Sequence, residues 1–170
     1  PQPRLTQFDQ TWTITGKTPD RERNIITSLD LDPYKMEKHN EMLQAKYAKI
    51  EEQEVRYEEV LLEDAEYVIV AFGSSARISQ KAVKIARENG IKAGLLRPIT
   101  LFPFPKQKIE QLSARVKGFL VVEMNAGQMV DDVKLAANGK VPVKYFGRYG
   151  GVIPAPNEVM EALKEKIVKA

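Results

Sequence analysis

The sequence predicts an α/β domain with a mainly parallel sheet and helices on both of its faces. From residue 66 onward, short apolar runs alternate with segments whose apolar residues recur every three or four positions. The apolar runs are nearly continuous, which is typical of strands buried on both faces of a parallel sheet. Glycine, asparagine and proline separate the segments, and these residues commonly end helices and strands.

The apolar runs predict four strands in this part of the chain. In order they are residues 67–72, 91–96, 119–124 and 141–146. Pro142 cannot donate a hydrogen bond to a ladder, so the last strand is expected near an edge of the sheet.

Four helices are predicted between and after these strands. They cover residues 76–89 and about 106–116, 128–137 and 157–168. The Asn89-Gly90 and Asn138-Gly139 pairs are expected to end the first and third helices, because glycine readily adopts the left-handed conformation there.

The first 65 residues have a different character and are interpreted as a separate segment, so the predicted domains are residues 1–65 and 66–170. Residues 5–16, with Phe8 and Trp12, are interpreted as extended chain. Asp32 and Pro33 predict the start of a charged helix of about 25 residues, nearly 40 Å long. Its apolar stripe holds Met36, Leu43, Tyr47, Ile50 and Tyr57. Two interpretations stay open: the helix packs on its own domain, or it is an arm that docks on a neighbouring domain or subunit.

Composition excludes several classes of function. The 170 residues contain no cysteine, so disulfides, thiolate nucleophiles and iron–sulfur or cysteine–zinc sites are excluded. His39 is the single histidine, which excludes a multi-histidine metal centre and leads to no predicted metal site. The net charge of +3 falls short of a nucleic-acid binder's basic surface, since residues 33–66 hold ten acidic and five basic side chains.

No apolar run could span a membrane and no signal peptide is evident, so a cytoplasmic location is expected. The absence of an initiator methionine suggests a fragment.

Ligands of open α/β sheets bind beside the carboxyl ends of the strands, so functional groups are expected in the loops there. Ser74, Ser75 and Arg77 follow the first strand at a helix start and form a candidate site for a phosphate or carboxylate. The alternative is that one serine caps the helix while Arg77 is solvated or ion-paired. The glycine-rich residues 147–151 allow close backbone approach to a ligand or form a plain turn.

Glu123, Asn125 and Gln128 lie together after the third strand. A glutamate in an apolar strand needs a partner, because an unpaired buried charge is costly. Without a histidine or cysteine nearby, we expect a structural or interface role, in which Glu123 ties loops together or meets Arg97 or Arg77. No catalytic residue is predicted.

Residues 97–105 form the most distinctive loop. Its prolines restrict the backbone of a segment whose aromatic side chains are expected to be exposed. Rigid apolar loops usually lie at interfaces. Arg97, Phe102 and Phe104 are therefore expected at an interface.

Three motifs in order, residues 65–77, 94–105 and 121–129, resemble the C-terminal part of the alpha subunit of 2-oxoacid:ferredoxin oxidoreductases. The 2-oxoisovalerate (branched-chain) type is the most similar. The resemblance implies a three-layer fold like the transketolase C-terminal domain, with a sheet of about five strands. It also implies thiamine diphosphate, Mg²⁺, Fe–S clusters and CoA for the complete enzyme, with none bound by this chain.

On that interpretation the chain is a structural and assembly domain of an oxidoreductase, inactive alone. The implied partners are the other domain of the alpha subunit, the other subunits and ferredoxin, with a homodimer as a further option. The competing hypothesis is an autonomous α/β module that binds CoA or a nucleotide through Ser74, Ser75, Arg77 and Arg148. Neither hypothesis involves nucleic acid or a membrane.

Overall fold

The computed structural model describes residues 16–169, apart from residues 18 and 21. The chain divides into two compact units, one ending at Leu43 and the other beginning at Gln44. The prediction of an extended segment over residues 5–16 lies outside the described residues, except for Gly16. The predicted domain boundary near residue 65 stays a prediction.

Helix α1 covers Pro33–Gln53 and begins as the sequence predicts. The Asp32 carboxylate accepts hydrogen bonds from the backbone N–H groups of Tyr34 (3.0 Å) and Lys35 (3.3 Å), and so caps the helix. The prediction that the helix reaches Tyr57 is wrong. Tyr57 starts a strand, because the backbone after the helix forms hydrogen bonds with the neighbouring strand instead of continuing the helical pattern.

The sheet has five strands, β1 (Tyr57–Val60), β2 (Tyr67–Ala71), β3 (Ala93–Pro98), β4 (Gly118–Glu123) and β5 (Val143–Gly147). Their spatial order is β1-β3-β2-β4-β5. Strand β1 runs antiparallel to β3, and the other four strands are parallel. The mainly parallel sheet of about five strands is therefore confirmed, with β5 at an edge as Pro142 predicts.

Four further helices follow strands β2 to β5, namely α2 (Gly73–Glu88), α3 (Lys106–Ser113), α4 (Met129–Ala137) and α5 (Pro156–Leu163). A π-helical segment, Lys164–Val168, continues α5. Gly90 after α2 and Gly139 after α4 have positive φ angles of 77° and 70°, as expected, and Asn138 also adopts the left-handed conformation, with a φ of 49°. No helix in the described part of the chain is long and apolar enough to cross a membrane.

The sheet is covered on both faces, which confirms the three-layer architecture. One apolar cluster joins the sheet to α3 and α4, and its buried side chains include Val68, Val70, Ile109, Leu112, Phe119, Val121 and Val133. A second cluster joins the opposite face to α2 and α5, and includes Ile69, Ala82, Val83, Leu120, Val122, Val159 and Leu163. Alternate residues of β2 and β4 point to opposite faces, so both strands carry apolar side chains on both faces, with Glu123 at the end of β4 as the exception.

Two arginines hold the connection between β1 and β2. Arg87 donates to the carbonyl of Leu61 (2.8 Å) and forms an ion pair with Asp64 (2.6 Å). Arg115 donates to the carbonyl of Leu62 (2.5 Å). This connection runs so close to β3 that a Cβ atom at Gly94 would lie 2.6 Å from the Leu61 carbonyl oxygen. Glycine is required at position 94 for this close approach.

Candidate functional site

The carboxyl ends of β2, β3, β4 and β5 lie along one edge of the sheet, because these strands are parallel. The loops predicted to carry function leave the sheet there. They are residues 73–77, 97–105, 123–128 and 147–151. The loops after neighbouring strands β2 and β3 share one cavity, while those after β4 and β5 bond to each other.

A cavity of about 670 Å³ lies where α2 begins beside β3. It brings together Ser74, Arg77 and Arg97, which the sequence analysis assigned to two separate sites. Glu58 and Gln80 also line it and were missed by the sequence analysis. Gln80 lies one helical turn after Arg77, and this spacing could have identified it. Glu58 was missed because its segment was interpreted as the end of a helix.

The start of α2 differs from the prediction that a serine caps the helix, and in part from the prediction that Ser74 and Ser75 both belong to an anion site. The residue before the helix is Phe72, in an extended conformation and with no side-chain cap, so neither serine takes the expected capping position. Ser75 is buried and does not line the cavity, whereas Ser74 is exposed and lines it. The first N–H groups of a helix have no intrahelical acceptor, so this end of α2 favours a negative charge.

The two cavity arginines are in different states. Arg97 Nη1 donates to Glu58 Oε2 at 2.8 Å, across the ladder where these two residues of β1 and β3 are directly paired. The Arg97 Nε atom is buried and has no hydrogen-bond partner among the described residues. Arg77 is exposed, and within the described part of the chain its guanidinium forms no ion pair. The lining therefore carries one paired arginine and one unpaired arginine.

Glu123 is 1% exposed, and its carboxylate caps helix α4. It accepts hydrogen bonds from the backbone N–H groups of Gln128 (3.2 Å), Met129 (2.9 Å) and Val130 (3.0 Å). The Asn125 side-chain amide donates to it at 3.1 Å. The carboxylate thus bonds to the loop and helix that follow β4, and in the described part of the chain it forms no ion pair with Arg97 or Arg77. The structural or interface role expected for Glu123 stays a prediction.

Asn125 links this cap to strand β5. Its Oδ1 accepts a hydrogen bond from the Gly127 N–H at 2.7 Å, and its carbonyl accepts one from the Tyr145 hydroxyl. Burial, followed by a hydrogen bond with Tyr149, raises the pKa of Tyr145 to about 12. Tyr145 therefore stays protonated and acts as a donor at neutral pH. The sequence contains no local signal for this contact, because Tyr145 lies 20 residues from its partner.

Residues 97–105 form a loop that is held by hydrogen bonds of Thr100 and has one exposed aromatic ring. Thr100 Oγ1 accepts a hydrogen bond from the Arg56 N–H (3.0 Å) and donates to the Pro103 carbonyl (2.9 Å). Phe102 is 60% exposed and meets the Tyr47 ring edge to face, with centroids 6.0 Å apart. The expectation that Phe104 is also exposed is wrong. Phe104 is only 7% exposed, because its ring packs in the apolar cluster that joins the sheet to α3 and α4.

The glycine-rich residues 147–151 form a loop anchored to α5. Arg148 forms an ion pair with Glu158, whose carboxylate also accepts a hydrogen bond from the Ala155 N–H at 2.8 Å. These two contacts, the N–H of Ala155 first and then Arg148, lower the pKa of Glu158. Arg148 does not line the cavity with Ser74 and Arg77, so the structure does not unite the four residues of the autonomous-module hypothesis.

Acidic and histidine side chains do not gather at this edge of the sheet. Among the described residues, no group of three or more His, Cys, Asp or Glu side chains is placed to hold a metal ion. His39 lies in helix α1, as predicted.

Comparison with known proteins identifies relatives over most of the chain. A ketoisovalerate oxidoreductase subunit, VorB, of Methanothermobacter marburgensis is 45% identical over 157 residues, which cover 92% of this chain and 44% of the relative. A 2-oxoglutarate synthase subunit, KorA, of Methanothermobacter thermautotrophicus is 38% identical over 106 residues, covering 62% of this chain and 28% of the relative. The chain thus spans less than half the length of these curated relatives.

Solved structures show the same fold. A 2-oxoglutarate:ferredoxin oxidoreductase from Magnetococcus marinus superimposes with a TM-score of 0.65 at 18% identity, over 81% of this chain and 24% of that one. A split-gene transketolase superimposes with a TM-score of 0.58 at 20% identity, over 67% of this chain and 41% of that one. The transketolase-like fold implied by the sequence motifs is confirmed.

The family assignment follows from a direct match to a family model. Residues 65–159, more than half of the chain, match the model described as pyruvate:ferredoxin oxidoreductase core domain II. This range contains β2 to β5, the cavity arginines and the Glu123 cap. The chain therefore belongs to the pyruvate:ferredoxin oxidoreductase core domain II family.

Proposed function

We propose that this chain is the core domain II segment of the alpha subunit of a 2-oxoacid:ferredoxin oxidoreductase, with 2-oxoisovalerate as the 2-oxoacid. The observation that carries the proposal is the 45% identity to the ketoisovalerate oxidoreductase subunit over 92% of this chain. The weaker identity to the 2-oxoglutarate synthase subunit favours the branched-chain substrate over 2-oxoglutarate.

The reaction of such an enzyme is the oxidative decarboxylation of a 2-oxoacid to an acyl-CoA, with electrons passed to ferredoxin. Thiamine diphosphate would supply the decarboxylation chemistry, and Fe–S clusters would carry the electrons. The residues of this chain do not fit these groups. It has no cysteine for a cluster, and its described acidic side chains do not gather as a site for the Mg²⁺ of a diphosphate. In this proposal those groups are bound by other parts of a cytoplasmic enzyme.

A structural and assembly role for the segment is supported by two local features. The Glu123 carboxylate accepts hydrogen bonds from the Asn125 amide and from backbone N–H groups at the start of α4, and so fixes the loop between β4 and α4. In the loop of residues 97–105, whose backbone is held by the hydrogen bond from Thr100 to Pro103, the Phe102 side chain is exposed. A rigid, exposed aromatic side chain is typical of the centre of a protein interface.

The test is an oxygen-free assay of the complete enzyme. The gene that encodes this segment, with its full reading frame, is expressed together with the genes of the other subunits. We expect CoA-dependent reduction of ferredoxin with 2-oxoisovalerate, at a kcat/KM at least tenfold above that with 2-oxoglutarate or pyruvate. A tenfold or greater preference for either of those acids would contradict the substrate assignment.

The assembly role has a separate test, in which Phe102→Ser is introduced into the complete enzyme. Loss of an exposed anchor is expected to weaken subunit association without unfolding the segment. The matched control is Leu135→Ser, which alters an apolar side chain of α4 that is 75% exposed. Equal association of the two variants and the wild type would contradict the interface assignment of Phe102. The homodimer of the chain is tested by sedimentation.

A further inference from the structure

We propose that the cavity beside the start of α2 binds an organic phosphate, with Arg77 and Arg97 as the ligands of the phosphate groups. This inference goes beyond the proposed function, because it concerns a ligand that the chain binds by itself. It rests on the charges, the shape and the apolar wall of the cavity of about 670 Å³.

The positive side of the cavity is made by two guanidinium groups from different elements. Arg77 is the fifth residue of α2, and Arg97 lies in strand β3. Arg77 has no ion-pair partner among the described residues, since Glu58 in the same cavity lining is paired with Arg97. Arginine binds phosphate oxygens in bidentate fashion, which makes a pair of arginines across a cavity well suited to phosphate.

Glu58 orients the Arg97 side chain but occupies only one of the guanidinium donors. The 2.8 Å bond occupies Nη1, whereas the buried Nε has no acceptor in the described part of the chain. The Arg97 side chain is 42% exposed and its Nη2 forms no hydrogen bond among the described residues, so Nη2 is the donor for a ligand oxygen in the cavity. Glu58 is also the negative group that a ligand must avoid, so the phosphate is expected nearer to Arg77 than to the ion pair.

The remaining polar groups add neutral donors near Arg77. Ser74 presents a hydroxyl and Gln80 an amide, and both side chains line the cavity. The first turn of α2 adds backbone N–H groups that lack intrahelical acceptors. This set contains three kinds of neutral donor around one unpaired cation, which favours a multiply charged anion over a monocarboxylate.

Part of the lining is apolar, which indicates that the anion is attached to an organic group. Val60, Ile78 and Leu95 contribute aliphatic surface from β1, α2 and β3. A cavity of 300–1,000 Å³ is the usual size for a small organic ligand, whereas a free phosphate would fill a small part of it. The combination fits a ligand with a phosphate at one end and a planar or aliphatic group at the other.

The test is isothermal titration of the 170-residue chain with ADP and, separately, with inorganic pyrophosphate, at low ionic strength. We expect saturable binding of ADP that is at least tenfold tighter than that of pyrophosphate, because pyrophosphate lacks the organic group. Arg77→Ala should weaken ADP binding about tenfold or more, and Arg97→Lys should weaken it by a smaller factor because lysine keeps the charge but not the bidentate geometry.

The matched control is Lys134→Ala, which removes the same charge from an exposed position of α4. We expect its ADP affinity to equal that of the wild type within twofold. Absence of binding by both probes would overturn the proposal, and so would an equal loss of affinity in Arg77→Ala and Lys134→Ala. Equal affinities for ADP and pyrophosphate would refute the organic part of the assignment. These results do not depend on 2-oxoacid turnover, so they separate this proposal from the proposed function.

Discussion

Replacement of Glu123 by glutamine tests whether the carboxylate cap holds the edge of the sheet together. The substitution keeps the side-chain size but replaces one oxygen with an NH₂ group, which donates rather than accepts. Oε1 accepts from the Val130 N–H, and Oε2 accepts from the Met129 N–H and the Asn125 amide. Gln128 contacts both oxygens. Whichever oxygen is replaced, at least one backbone donor at the start of α4 loses its acceptor.

The expected loss follows from these bonds. One buried donor left without an acceptor costs about 1–3 kcal/mol. The other three bonds change from charged to neutral, which weakens each by about 1 kcal/mol. Glutamine avoids the cost of burying a charge, and this offsets part of the total. We therefore expect Glu123→Gln to lower the free energy of unfolding by about 3–4 kcal/mol.

Urea unfolding followed by far-ultraviolet circular dichroism measures this loss, with an unchanged m-value as the check that the same structure unfolds. The control is Glu110→Gln, which removes a 62% exposed carboxylate that lies 3.3 Å from Lys140. An exposed ion pair contributes about 0–1 kcal/mol. If Glu123→Gln costs no more than this control, the cap does not stabilise α4 and the reasoning is refuted. Faster amide exchange at Met129 and Val130 should accompany the loss.

Three further outcomes follow from the contacts of single residues. Gly94→Ala should lower the free energy of unfolding by about 1–3 kcal/mol in the same assay, because its Cβ would overlap the Leu61 carbonyl and the backbone must shift; an unchanged midpoint would contradict this. Glu158 should titrate below 4.5 by NMR, and Arg148→Gln should raise its pKa towards that value. Because the folded pKa is lowered, the stabilisation is present above the unfolded value and is lost as the pH falls through the folded value; a titration at or above 4.5 would contradict this. Phe102→Ser should leave the urea midpoint of the isolated chain within about 0.5 kcal/mol of the wild type, since the ring is 60% exposed; a larger loss would indicate a role in folding.

The sequence was sufficient to predict those parts of the fold whose signal is local. The continuous apolar runs of β2 and β4 and the Asp32 cap of α1 are examples, because each depends on neighbours in sequence. Strand β1 was missed because Ile50 and Tyr57 are seven residues apart, a spacing that fits a continued helical stripe. Residues 57–60 form a strand because they pair with β3, about 40 residues away in sequence. The periodicity of one segment does not indicate such a distant partner.

The sequence predicted which residues belong to candidate sites, but not which of them lie together in the structure. Arg77 and Arg97 were assigned to an anion site and an interface, whereas β2 and β3 are adjacent in the sheet and bring both to one cavity. Which side of a loop or helix faces inward is decided by packing. For this reason Ser75 and Phe104 are buried although their neighbours Ser74 and Phe102 are exposed. The need of Glu123 for partners was predictable, but their identity as backbone N–H groups was not.

The most direct test of the central claim is an oxygen-free assay of the purified 170-residue chain, alone and within the complete enzyme. The claim is that the chain is a structural segment whose enzyme contains its reactive groups elsewhere. It predicts no ferredoxin reduction with 2-oxoisovalerate and CoA by the chain alone, and CoA-dependent reduction by the complete enzyme. Turnover by the chain alone would contradict the claim.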